Sequence, residues 1–114
     1  MKNWSLISNP KSSEVDYQLA PCYDLICSKL YFPGEDESAL TVNGKRNRIS
    51  VSDFAALAEY LKIDKKAYQS VIYKIKDLRG IFLEMIENAV YFEKKDKLKE
   101  ILIGNYSKLF RKTI

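Results

Sequence analysis

The residue of this chain best placed for chemistry is an aspartate just beyond a strand-like run. Val15-Asp16-Tyr17-Gln18-Leu19 alternates apolar and polar at period two, as a half-buried strand does. Pro21 then stops sheet pairing, because it has no N–H to give to a ladder. Asp24 follows three residues later, at the head of the apolar segment Leu25-Ile26-Cys27. A carboxylate fixed by a strand end and exposed by a loop can hold a metal ion. The same position suits the N-cap of a short helix, and the residues alone leave both readings open. A second candidate is the densest basic patch, Lys45-Arg46-Asn47-Arg48. It could meet phosphates of a nucleotide or nucleic acid, or it is an exposed, solvated turn. Cys22 and Cys27 flank Asp24. Two cysteines in a chain without histidine fall short of a four-ligand zinc site, so they read as small buried thiols.

Several elements must position these groups. Residues 4–8 and 15–19 are expected as two strands of a β-hairpin, joined through the turn residues Asn9-Pro10-Lys11-Ser12-Ser13. A lone hairpin is marginal in water, so it is expected to pack on helices or on other strands. Leu25 to Leu30 is expected as a short helix, followed by a loop at Pro33-Gly34. The acidic run Glu35-Asp36-Glu37 in that loop reads as solvated surface. Leu40-Thr41-Val42 is a candidate strand, and Asn43-Gly44 is a strong turn dipeptide.

The second half is helical in pattern. Ser52 is expected as an N-cap, with Asp53 complementing the helix dipole and Phe54, Leu57, Ala58 and Leu61 at helical spacing. A long helix is expected from Lys65 to about Ala89, capped by Asp64, with a stripe that includes Tyr68, Val71, Ile72, Ile75, Leu78, Phe82 and Met85. Gly80 inside it costs roughly 1 kcal/mol against Ala and marks a bend or a close approach. A last helix starts at Glu93 or Asp96 and carries Leu98, Ile101, Leu102, Asn105, Tyr106 and Leu109. The tyrosines and most phenylalanines read as packing residues. The expected class is α+β, mainly α: a small N-terminal β-hairpin packed on a bundle of three to four helices, in one domain spanning 1–114. A soft boundary near residue 49 divides the hairpin-and-loop part (1–49) from the helical part (50–114).

The chain has 114 residues, with 46% apolar and 30% charged side chains, which suits one folded domain and excludes disorder. A net charge of +4, from 19 basic and 15 acidic side chains, permits contact with nucleic acid without demanding it. There is no signal-peptide core and no apolar run of the roughly 20 residues that span a bilayer. A cytoplasmic protein with no membrane partner is expected.

Three ordered segments resemble HipA-type serine/threonine kinases, the toxins of bacterial toxin–antitoxin pairs. The stretch from Tyr17 to Cys27 is similar to the family's LxPxYDLL segment. Lys2-Asn3-Trp4-Ser5-Leu6-Ile7 is similar to the end of its D-x-H-x-K-N-[FW]-S-[LI] catalytic loop, and Ala39 to Lys45 to its LALTLNGK segment. The resemblance implies that Asn3 and Asp24 are Mg²⁺ ligands, since kinase chemistry needs a metal bridging the nucleotide phosphates. The base that the pattern places five residues before Asn3 would lie ahead of Met1. The four glycines, Gly34, Gly44, Gly80 and Gly104, are scattered, so no glycine-rich phosphate loop is present.

The chain is therefore expected to be a C-terminal fragment or split subunit of such a kinase, without a catalytic residue of its own. The complete enzyme would use ATP and Mg²⁺, neither of which should bind this chain tightly alone. Its partners would be the N-terminal portion of the kinase, a helix-turn-helix antitoxin and a second copy of the chain. The alternative is a non-catalytic helical module that binds protein, or binds nucleic acid through Lys45, Arg46 and Arg48.

Overall fold

The structure is a computed structural model that describes residues 4–23 and 25–111. It is α+β and mainly helical, with a two-stranded antiparallel hairpin followed by four helices. Strands β1 (Leu6–Ser8) and β2 (Tyr17–Leu19) pair with Leu6 opposite Leu19 and Ser8 opposite Tyr17. The intervening loop is held locally, as Asn and Ser side chains predict: the Asn9 carboxamide accepts from the Lys11 N–H at 3.0 Å and the Ser12 hydroxyl from the Glu14 N–H at 3.3 Å. Pairing continues one step past β2, with the Ala20 N–H on the Ser5 carbonyl at 2.9 Å. Pro21 then ends it. Every residue of both strands is exposed, so the hairpin shares no buried seam with the helices.

Helix α1 (Ser28–Tyr31) is a single turn, shorter than the Leu25–Leu30 span expected, and it buries Leu30. Helix α2 (Val51–Tyr60) starts on Ser50, not on Ser52. The reason is Asp53, which lies three residues beyond Ser50 and closes a capping box with its main chain. Helix α3 (Lys65–Glu87) begins where Asp64 accepts the Ala67 N–H at 3.0 Å, as expected of that cap. Helix α4 (Lys95–Leu109) carries Asp96 in its first turn and Lys108 in its last, each suited to the local dipole.

Two tyrosines pin the helices together. The Tyr68 hydroxyl donates to the Val51 carbonyl at 2.7 Å, joining α3 to the start of α2. The Tyr106 hydroxyl donates to the Ile75 carbonyl at 2.6 Å, joining α4 to α3, and its ring stacks on Phe110 with centroids 5.6 Å apart. A tyrosine spends its ring on packing and its hydroxyl on an otherwise dry carbonyl, which makes it a good seam residue. The other six tyrosines are exposed, Tyr91 completely. The expectation that the tyrosines pack therefore holds for two and fails for six. A helical period marks a face but does not show that anything covers it.

Among the described residues the buried apolar side chains are only Leu30, Ala58, Ile101 and Tyr106. The long α3 has no buried residue; Tyr68, Ile72, Ile75 and Leu78 are half-buried, while Val71, Phe82 and Met85 of the expected stripe are exposed. The chain exposes 9921 Å², whereas a compact protein of this mass exposes about 6,400 Å². Its radius of gyration is 17.0 Å, against about 13 Å for a compact chain of this length.

Gly80 is neither a bend nor a close approach. It lies within the unbroken α3, and a Cβ placed there meets no atom within 4 Å. Gly80→Ala is therefore expected to raise stability by about 1 kcal/mol, read as a higher midpoint in thermal unfolding followed by circular dichroism. A lower midpoint would show that something in solution packs on this position.

Candidate functional site

The two expected metal ligands, Asn3 and Asp24, lie outside the described residues. Their surroundings are described. Ala20 to Tyr23 leave β2 as an extended segment, and Leu25 and Ile26 continue it to α1, both exposed. Leu25 and Ile26 line a surface depression whose far side is the acidic run Glu35, Asp36 and Glu37, with Arg46 and Asn47. The acidic run therefore lies across this depression from Leu25 and Ile26. Each of two carboxylates there is already matched with a cation. Asp36 pairs with Lys29, which holds its carboxyl below the usual range through a hydrogen bond and charge. Glu37 meets Arg46 at 3.5 Å. Among the described residues, no three carboxylates or thiols gather as a metal cage.

Cys22 is exposed and Cys27 half-buried, so the expectation of two buried thiols fails at Cys22. Pro21 and the chain leaving the sheet edge carry it outward, beyond any packed layer.

The best-organised polar cluster of the chain forms around Asp53, which is 1% exposed. The turn that reaches it is built by Asn43 and Gly44, with φ of 50° and 72°. Both values are left-handed, as a tight hairpin of the Asn-Gly kind requires, and Val42 and Lys45 bridge across it with bonds of 2.9 and 3.0 Å. The turn aims Asn43 and Lys45 back at α2. The Asn43 amide donates to Asp53 Oδ1 at 3.0 Å, and Lys45 Nζ lies 2.7 Å from the same oxygen. Oδ2 accepts the Ser50 N–H at 2.9 Å and the Ser50 hydroxyl at 3.0 Å. Lys45 first, then Asn43 and Ser50, hold the Asp53 carboxyl well below the usual carboxylate range, and desolvation opposes them only in part.

Of the three expected phosphate contacts, Lys45 has its ammonium paired with Asp53 while its side chain stays about half exposed. Arg46 is partly committed, with its Nε–H on the Ser38 carbonyl at 3.0 Å. Arg48 has no acidic partner among the described residues. Sequence reasoning placed Asp53 on a helix dipole and missed its role as a hub. The available signal was a Ser-x-x-Asp box that begins five positions after the lysine of an Asn-Gly-Lys turn.

A depressed folded pKa means that the Asp53 contribution is whole above its unfolded value of about 4 and is lost as pH falls below it. Asp53→Asn keeps the shape and removes the charge. At neutral pH it is expected to lower the thermal midpoint by about 5 °C, and the gap from wild type should narrow as pH falls from about 5 to about 2. A gap independent of pH would show that the carboxylate charge is not what fastens the turn.

The family model described as HipA-like C-terminal domain matches residues 1–89, a span that includes the hairpin, the Asp24 segment, the Asn-Gly-Lys turn, α2 and α3. No curated protein and no solved structure matches the chain.

Proposed function

The chain belongs to the HipA-like C-terminal domain family, and from that membership we propose that it is the C-terminal portion of a HipA-like serine/threonine kinase of the toxin type. It acts as a fragment or split subunit, and a companion polypeptide brings the base and the ATP-binding lobe. The observation that carries this reading is the family match, whose span takes in both Asn3 and Asp24. A carboxylate and a carboxamide oxygen suit Mg²⁺, which takes hard oxygen donors and leaves the rest of its shell to phosphate and water. When bound, the metal would supply charge neutralisation at the transferred phosphate. ATP itself does not fit this chain. Its glycines stand singly, and the one with left-handed backbone, Gly44, sits in a turn fastened to α2.

The uncovered surface supports the need for a companion. An excess of about 3,500 Å² over a compact protein is more than the roughly 1,000–2,500 Å² that one partner contributes to an obligate interface. The exposed apolar side chains of the hairpin, Leu6, Tyr17 and Leu19, and those of α3, Val71, Phe82 and Met85, are the surfaces such a companion would cover.

Alone, the chain is expected to transfer no phosphate from radiolabelled ATP to itself or to a serine peptide, because proximity and base are both missing. With the N-terminal portion of a HipA-type kinase added in trans, transfer should appear. Asp24→Asn in that mixture should reduce it about 100-fold or more, the loss typical of removing a group that stabilises the transition state. Stable binding of the companion with no transfer would favour a non-catalytic interaction module. Transfer by the chain alone would overturn the split-kinase reading.

A further inference from the structure

We propose a binding site for a single phosphate group, free or as a monoester, at the depression where Arg48 and Arg111 meet. The two arginines are 63 positions apart, one on the turn before α2 and one just after α4. The Arg111 Nη2 donates to the Arg48 carbonyl at 2.7 Å, which carries its guanidinium onto the turn. Both residues line one surface depression together with Arg46, Gly44, Asn47 and Glu37.

Three features separate this place from an ordinary basic surface. First, two of the three guanidiniums, those of Arg111 and Arg46, are positioned by main-chain carbonyls before any ligand arrives. Arg111 is held by the Arg48 carbonyl, and Arg46 by the Ser38 carbonyl, while the Ser38 N–H donates back to the Arg46 carbonyl at 2.6 Å. An arginine fixed through one N–H keeps its other donors for a ligand and loses less side-chain freedom on binding. Second, Arg48 has a φ of 50°, a left-handed backbone unusual for a long side chain, and such departures concentrate where a side chain must be presented. Third, the positive charge is not cancelled. Arg48 and Arg111 have no carboxylate partner among the described residues, and the one acidic side chain lining the depression, Glu37, sits 3.5 Å from Arg46.

The ligand class follows from the donor set. Guanidinium forks match tetrahedral oxyanions, to which they can give paired hydrogen bonds. No aromatic ring lines the depression, so nothing there would stack a nucleobase. The site therefore reads the phosphate and not what is attached to it. Lys45 also lines it, with its ammonium shared with Asp53. This proposal is independent of the kinase reading, since neither Asn3 nor Asp24 takes part.

The test uses the full chain, with inorganic phosphate and methyl phosphate as probes in a constant chloride background, followed through the arginine Nε–H signals by NMR. Saturable shifts at Arg48 and Arg111 are expected. Binding of both probes assigns an ester-tolerant site, and binding of inorganic phosphate alone assigns a site for the free ion. Arg48→Gln and Arg111→Gln should each weaken binding about fivefold, and Arg111→Lys, which keeps the charge and loses the fork, by less. The control Lys74→Gln with Lys76→Gln removes the same charge as both arginine changes from α3, outside the depression, and should alter affinity by less than about twofold. Unchanged backbone spectra show that each variant is folded; if Arg48→Gln unfolds, the Arg111 pair carries the test. Shifts that do not saturate, or equal weakening by the α3 control, would overturn the proposal.

Discussion

The buried carboxylate of Asp53 is the interaction on which the order of this chain depends. Its two oxygens take four donors from two places: the Asn43 amide and Lys45 ammonium from a loop, and the main-chain N–H and hydroxyl of Ser50 from the start of α2. A carboxylate out of water is costly unless its lone pairs are filled and its charge is met. Here both conditions are satisfied, so removal of any one donor leaves a penalty as well as a lost bond. The consequence is geometric. The segment from Pro33 to Ile49 has no regular helix or strand, yet its end is fixed to the first turn of a helix. That fixed end then sets where Arg46 and Arg48 stand, and Arg111 closes on it from the other end of the helical half.

Away from this junction, little of the chain's apolar surface is covered by the chain itself. Four apolar residues are buried among those described, in a chain that is 46% apolar. The helices are joined mainly at points: Tyr68 on Val51, Tyr106 on Ile75, and Lys94 over the Tyr31 ring at 4.7 Å. Ion pairs such as Lys99 with Glu87 at 2.5 Å draw the start of α4 to the end of α3, but exposed pairs add little to stability. The hairpin and α3 each present apolar side chains that no other described element covers.

Much of this was legible in the residues. The period-two run before Pro21, the Asn-Gly turn, the Asp64 cap and the α4 stripe of Leu98, Ile101 and Tyr106 all stand where local chemistry puts them. These are short-range signals, decided by dihedral preference and by hydrogen bonds within a few residues. What periodicity could not convey was coverage. Val71 and Met85 carry the same apolar signal as Tyr68 and Ile72, but whether a face is buried depends on elements distant in sequence. The cap of α2 was misplaced by two residues because Ser50 and Ser52 are equal candidates until Asp53 chooses between them. The meeting of Arg48 with Arg111 had no local signature at all, since a 63-residue separation leaves no trace in spacing.

The described chain leaves much of its apolar surface uncovered by its own residues. Small-angle scattering extrapolated to zero concentration tests it most directly, under conditions where light scattering gives the 13.2 kDa mass of one chain. The account predicts a monomer with a radius of gyration near the 17.0 Å of this structure. A value near the roughly 13 Å of a compact chain of this length would contradict it, because the hairpin and α3 would then have found their cover within the chain.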